Sequence, residues 1–314
     1  MVMPRLTIPT DVDNATLTVA RREVRLTNLR KLFWPERNIT KGALLQYYAD
    51  VSPVLLPHVR DRAMVMRRYP DGVDGPPFFM KEAPTPRPTW IRTCAIPHRT
   101  GVVNFPVIDD LPSLLWVINL GCIDLNQWYS RCDDVNRPDY VHFDLDPAPG
   151  ASFEQVRQAA LVVGEALVSL KMRPLVKTSG SRGMHVYVPI VRGPEQKAVW
   201  TFARALAMEL VKRHRALLTS EYRIAKRPKA TVLVDYNQNA WGQTLASVYS
   251  VRPTPLATVS TPLEWKEVGA GARIEDFRLD NVRARIRRRG DLWKPLLSAR
   301  GRTRLETFLE EGGG

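Results

Sequence analysis

The stretch Tyr140-Val141-His142-Phe143-Asp144-Leu145-Asp146-Pro147 constrains this chain more than any other. Strand side chains alternate between faces, so Phe143 and Leu145 point into a core while Asp144 and Asp146 share the opposite face. Asp235, closing the apolar run Val232-Leu233-Val234, can supply a third carboxylate. Three clustered aspartates suit two divalent ions, Mg²⁺ or Mn²⁺, which need hard oxygen ligands and keep positions open for substrate phosphates. A lone D-x-D is nevertheless common in loops, and alone it reads as structural.

A second segment supplies the complement. Lys177-Thr178-Ser179-Gly180-Ser181-Arg182-Gly183 is a glycine- and hydroxyl-rich turn, followed by a strand from Met184 to Pro189 in which His185 and Tyr187 share one face. Backbone N–H groups of Ser179, Gly180 and Ser181 can form an anion nest. Arg182 and His185 add charge-assisted donors, so the turn reads as a triphosphate cradle. By itself S-G-S is an ordinary flexible turn.

With 314 residues, 44% of them hydrophobic, the chain can bury a substantial core. Its net charge of +14, from 46 Lys and Arg against 32 Asp and Glu, favours a polyanionic partner. Cys94, Cys122 and Cys132 have no C-x-x-C spacing, which indicates neither a disulfide framework nor structural zinc. A reducing cytoplasm, in association with the nucleoid, is the expected location. The sequence has neither a signal-peptide layout nor an apolar run long enough to cross a bilayer.

The N-terminal portion, to about residue 135, begins with a strand-like Leu17 to Leu26. A helix is expected over Lys41 to Val54, where Leu44, Leu45, Tyr48 and Val51 recur at helical spacing behind Thr40. Loops and short strands fill Arg67 to Arg99. From residue 136 to 270 the pattern is strand, helix, strand, helix, strand, an α/β (α+β) alternation. Ser152 and Gln155 form a capping box, and Pro194 occupies a tolerated first-turn position. Residues 271–297 read as a basic closing helix with Val282, Ile286 and Trp293 as its apolar stripe, and 298–314 as a frayed tail. The whole of 1–297 reads as one domain.

The three segments, in their order, resemble the motifs of the archaeo-eukaryotic primase superfamily: a D-x-D strand, an S-x-H-like strand and a final strand ending in Asp. The nearer resemblance is to the polymerase domain of bacterial end-joining DNA ligases (LigD type) and its stand-alone relatives. It is carried by Leu26-Thr27-Asn28-Leu29-Arg30-Lys31-Leu32-Phe33-Trp34-Pro35, Thr40-Lys41, Arg67-Arg68-Tyr69-Pro70-Asp71-Gly72, Pro77-Phe78-Phe79-Met80-Lys81 and Asp235-Tyr236-Asn237-Gln238-Asn239, and it covers residues 20 to 297.

The resemblance implies a primase-type core with an RRM-like sheet and an N-terminal DNA-docking portion. It implies that Arg252 holds the incoming triphosphate and Ser179 contacts it. Phe78 and Phe79 would lie against the template, flanked by Arg67, Arg68 and Lys81. Adjacent strand residues point to opposite faces, so one of the two phenylalanines is expected in the core. Asn28, Lys31 and Lys41 would form a pocket for a downstream 5′-phosphate. In Ile123-Asp124-Leu125-Asn126-Gln127-Trp128, Asn126 replaces a histidine common in ligase-fused members, and a neutral amide cannot titrate.

The expected function is template-directed, two-metal nucleotidyl transfer: primer extension, short-gap filling or end-joining synthesis from NTP or dNTP, with the family's ribonucleotide preference. Expected partners are DNA with gaps or breaks, a separate ATP-dependent DNA ligase, and Ku. Two other readings stay open, a metal-dependent nuclease and a non-catalytic DNA gap- or end-binding module.

Overall fold

The computed structural model describes residues 6–310. Its centre is a six-stranded sheet in the order Leu218–Thr219, Val232–Asp235, Tyr140–Pro147, Met184–Pro189, Leu175–Thr178, Pro262–Leu263. The neighbours are antiparallel, except that the first strand runs parallel to the second. Val141, Phe143 and Leu145 are completely buried on the face the sequence assigns to the core, and on the other face Tyr140 and His142 are buried as well. Helices Phe153–Ser169 and Gln196–Arg213 pack on this sheet, the first behind the expected Ser152–Gln155 capping box. The second starts after Glu195, so Pro194 precedes the helix instead of occupying its first turn.

A second sheet, Thr244–Ala246, Cys122–Trp128, Met64–Arg68 and Phe78–Met80, is antiparallel throughout. Mixed helix and sheet in this arrangement make an α+β fold.

The structure departs from the sequence-based expectations at several further places. Leu17 to Leu26 is a hairpin, Ala15–Val19 paired with Arg22–Leu26, because Ala20 and Arg21 both take positive φ (48° and 64°) and reverse the chain. The helix begun at Thr40 runs to Val59, past Pro53 and Pro57, because Leu55 and Val59 are wholly buried and their packing outweighs the prolines. Residues 271–297 hold a short helix, Val282–Arg289, and a separate turn, Lys294–Leu297, divided at Gly290 (φ 69°). Three of the arginines of Val282–Arg289 pair with acids of the protein itself, Arg283 with Asp50, Arg285 with Glu267 and Arg289 with Glu264.

The tail expected to fray is docked as far as it is described: Thr303 bridges to Ile190, Leu305 is fully buried and the Phe308 ring meets Phe202. Residues 311–314 of that expectation lie outside the described residues. Finally, both phenylalanines are exposed, Phe78 at 42% and Phe79 at 65%. They still point to opposite faces, but Phe78–Met80 is an edge strand and neither face is covered there. No helix among the described residues is long and apolar enough to cross a membrane.

Candidate active site

The two sheets meet around a cavity of about 270 Å³. Asp144, Asp146, Ser179, Ser181, Arg182, Gly183 and His185 enter it from the first sheet, Asn126 and Thr244 to Ala246 from the second, and Arg252 from the following loop. Strand register explains the convergence. Asp144 pairs with Asp235 on one side and with His185 on the other, so three residues far apart in sequence occupy one row.

Burial raises the pKa of all three aspartates. Asp144 is pushed up to about 6 by desolvation, and Asp146 and Asp235 are raised by desolvation and then by the charge of Asp144. Arg182 and Arg227 lie 3.6 Å from Asp146 and offset part of this.

Crowded carboxylates that repel one another are what a bound dication relieves, and their oxygens are the donors Mg²⁺ or Mn²⁺ prefer, so the residues fit such ions. The set is not preassembled. No group of three His, Cys, Asp or Glu among the described residues is arranged to hold a metal ion. Asp235 explains this, because its oxygens accept from Tyr222 Oη (3.0 Å), Asn237 N (2.9 Å) and Gln238 Nε2 (2.9 Å).

Two glycines seat the turn. A Cβ on Gly183 would stand 2.2 Å from the Leu145 carbonyl oxygen, so only glycine lets the turn press on the D-x-D strand. Gly180 takes φ +72°, and a Cβ there would meet Arg252 Cγ and Ser260 N at 2.7 Å. The amides of Ser181 and Gly183 donate to Ser179 Oγ (3.2 and 3.0 Å). Those N–H groups therefore brace the turn, where an open nest was expected. Arg252 donates to the Ser179 carbonyl (3.2 Å) and Thr258 to that of Gly180 (2.5 Å).

His185 is buried and lowered well below its ordinary pKa by desolvation and by Lys177, hence neutral. Its Nδ1 meets Lys177 Nζ at 2.7 Å and its Nε2 lies 3.3 Å from Asp144 Oδ1. Lys177, itself lowered well below its ordinary pKa by desolvation, also donates to the Ala246 carbonyl (3.0 Å) and to Ser260 Oγ (2.6 Å). A neutral, inward-facing imidazole differs from the charged donor expected from the sequence.

Lys177, two residues before Ser179 on the strand Leu175–Thr178, is a further charged group of the site, and a lysine within an apolar strand beside the turn is its sequence signal. Asp124, a carboxylate inside Cys122-Ile123-Asp124-Leu125, was likewise recognisable as a charge in an apolar run. Arg227 was not, because it reaches Asp146 from a loop.

A second cavity, also about 270 Å³, is lined by Asn28, Lys31, Lys41 and Arg68. The three residues grouped by the sequence resemblance thus share one pocket. Lys31 pairs with Asp71 (2.7 Å), and Lys41 donates to the Thr27 carbonyl (2.7 Å). Burial, then the charges of Lys31 and Arg68, lower Lys41 to about 8. Arg67 and Arg68 lie over the Phe79 and Phe78 rings, 5.4 and 5.1 Å from their centroids, and Lys81 is exposed beside them.

Residues 40–293 match the model of the LigD primase-polymerase domain. The chain is similar to the multifunctional non-homologous end joining protein LigD of Mycolicibacterium smegmatis, 30% identical over 87% of this chain and 36% of that protein. It is also similar to the bifunctional LigD of Bacillus subtilis, 30% identical over 85% of this chain and 43% of that protein. The chain therefore spans roughly two fifths of the length of these curated relatives. Among solved structures, the polymerase domain of Mycobacterium tuberculosis ligase D in complex with DNA superposes with a TM-score of 0.83 at 30% identity, covering 88% of this chain and 98% of that one. Fold, cavity and sequence agree, and the chain belongs to the LigD primase-polymerase domain family, a family of DNA-directed nucleotidyltransferases.

Proposed function

We propose that the protein extends a primer strand on a DNA template, filling short gaps or joining ends, with ribonucleotides preferred. The observation carrying this reading is that Asp144, Asp146, the Ser179–Gly183 turn and Arg252 line one cavity. A nuclease has no need of a triphosphate cradle.

In the proposed reaction the primer 3′-hydroxyl oxygen bonds to the α-phosphorus of the bound nucleotide as its proton passes to solvent, the α–β P–O bond breaks, and pyrophosphate leaves. Asp144, Asp146 and Asp235 would hold divalent cations, which when bound supply charge neutralisation for the attacking oxygen and the leaving phosphates. Arg182 and Arg252 offer guanidinium donors to the triphosphate, and the Arg252–Ser179 contact holds the turn in place. His185, with Nε2 3.3 Å from Asp144 Oδ1, packs beside that carboxylate. Phe79, exposed over Arg67, offers a face for a template base. Asn28, Lys31 and Lys41 receive a downstream 5′-phosphate. A separate ATP-dependent ligase and Ku are the proposed partners in sealing the product.

Extension of a labelled primer on gapped DNA tests the reading, with NTP against dNTP and Mg²⁺ against Mn²⁺. Nucleotide-dependent growth with pyrophosphate release supports it. Strand cleavage without nucleotide would assign a nuclease, and DNA binding that survives chelation without any synthesis would leave a binding module.

A further inference from the structure

The Asp124 side chain is 2% exposed and stands between two arginines with different tasks. Its Oδ2 lies 3.7 Å from Arg67 Nη1 and its Oδ1 3.5 Å from Arg252 Nε. Neither contact is a hydrogen bond: Asp124 Oδ1, Arg67 Nε, Arg252 Nε and the nearby Tyr69 hydroxyl are all buried without a hydrogen-bond partner. Such loosely tied groups can shift cheaply, whereas a bidentate pair could not.

The strand register makes this a row. Phe79 pairs with Arg67, and Arg67 pairs with Asp124, so an exposed aromatic, a guanidinium and a buried carboxylate succeed one another across three strands. The Arg67 guanidinium sits 5.4 Å from the centroids of both Tyr69 and Phe79. Beyond Asp124 the row continues into Arg252, which grips the Ser179 carbonyl of the turn. The Asp124 carbonyl also accepts from Asn126 Nδ2 (3.1 Å), a residue of the cavity wall.

We propose that Asp124 is a positioning residue that couples nucleotide binding to template binding. This rests on the reading that DNA stacks at Phe79 and the triphosphate meets Arg252. One carboxylate is shared by two cations. A triphosphate drawing on Arg252 releases Asp124 to Arg67, which steadies the guanidinium beneath Phe79 and so favours a stacked base. By linkage, DNA that fixes Arg67 favours nucleotide to the same degree.

The experiment is a binding cycle. The affinity for primer-template DNA ending in a 3′-deoxy nucleotide, which cannot be extended, is titrated with and without saturating nucleotide. The unmodified protein should bind DNA about tenfold more tightly when nucleotide is present, within the range usual for coupled sites. In Asp124→Asn this factor should fall below about twofold, and Asp124→Glu should restore part of it. Arg67→Met should lose it in the same way, and it carries the test if Asp124→Asn melts before assay temperature. A purely structural Asp124 would lower both affinities while leaving their ratio intact. An undiminished factor in either variant, or no tightening in the unmodified protein, overturns the proposal. Coupling intact in a protein that incorporates no nucleotide would overturn the nucleotidyl-transfer reading and leave this one standing.

Discussion

Asp144 and Asp235 face one another across adjacent antiparallel strands, although 91 positions separate them in the chain. Asp144 lines the cavity, Asp235 closes the strand beside it, and the charge of Asp144 raises the pKa of Asp235 beyond what burial does. The pair is held together by sheet hydrogen bonds, so its geometry survives changes elsewhere on the surface.

Replacing Asp144, Asp146 or Asp235 with Ala should abolish nucleotide incorporation. DNA binding should be retained or slightly strengthened, because removing negative charge does not weaken attraction to phosphate. Primer extension and DNA titration on the three variants check this, and robust incorporation by any of them would remove the metal assignment.

Gly183→Ala would place a methyl 2.2 Å from the Leu145 carbonyl, and both are backbone-bound, so the turn must move. The expected cost is about 1–3 kcal/mol of stability. Displacement of Ser179 and Arg182 should also raise the KM for nucleotide. Thermal melting and nucleotide titration of the same variant measure both effects.

Arg252→Ala and Ser179→Ala should raise the KM for nucleotide more than they weaken DNA binding. Each lost contact costs on the order of 1.5–3 kcal/mol when charge-assisted. Lost DNA affinity with unchanged nucleotide dependence would instead move these residues into the DNA groove.

A short gap bearing a downstream 5′-phosphate should bind about 5- to 100-fold more tightly than one bearing a hydroxyl at low salt, less as ionic strength rises. Lys41, at about 8, is protonated at neutral pH and loses its proton as pH rises. The preference should therefore decline as pH rises through about 8, with bound phosphate moving the decline upward. Phosphate ionisation near pH 6 would act in the opposite direction. Titrations of the matched gaps at several pH values, and their equality in Lys31→Ala/Lys41→Ala, test the pocket.

Arg62 and Asp139 form a buried pair in which Nη2 donates to both carboxylate oxygens (2.7 and 2.8 Å), and Arg131 Nε donates to Oδ2 at 3.0 Å. Burial alone would raise Asp139, but Arg62 and Arg131 outweigh it and hold the carboxyl below its ordinary value. A depressed folded pKa gives stability that is present above the unfolded value and lost as pH falls through the folded one. Asp139→Asn should cost about 3–5 kcal/mol by stranding a buried cation. Its stability should also depend less on pH in the acid range, as denaturant titrations would show.

The sequence by itself determined three strands of the six-stranded sheet, Tyr140–Pro147, Met184–Pro189 and Val232–Asp235, and the face on which Asp144 and Asp146 lie, because alternation along a strand is local. It also marked the Ser179–Gly183 turn and the Ser152–Gln155 cap, where one or two residue types decide the conformation. Only the tertiary structure decided that Phe78 and Phe79 are both exposed, since edge position depends on which strands pair. It likewise decided that His185 is neutral, because the assembled sheet buries it and Lys177 reaches it from the neighbouring strand, and that Asp124 lies between Arg67 and Arg252. Charge states and shared partners depend on distances between segments remote in the chain, and those distances exist only once the sheets have formed.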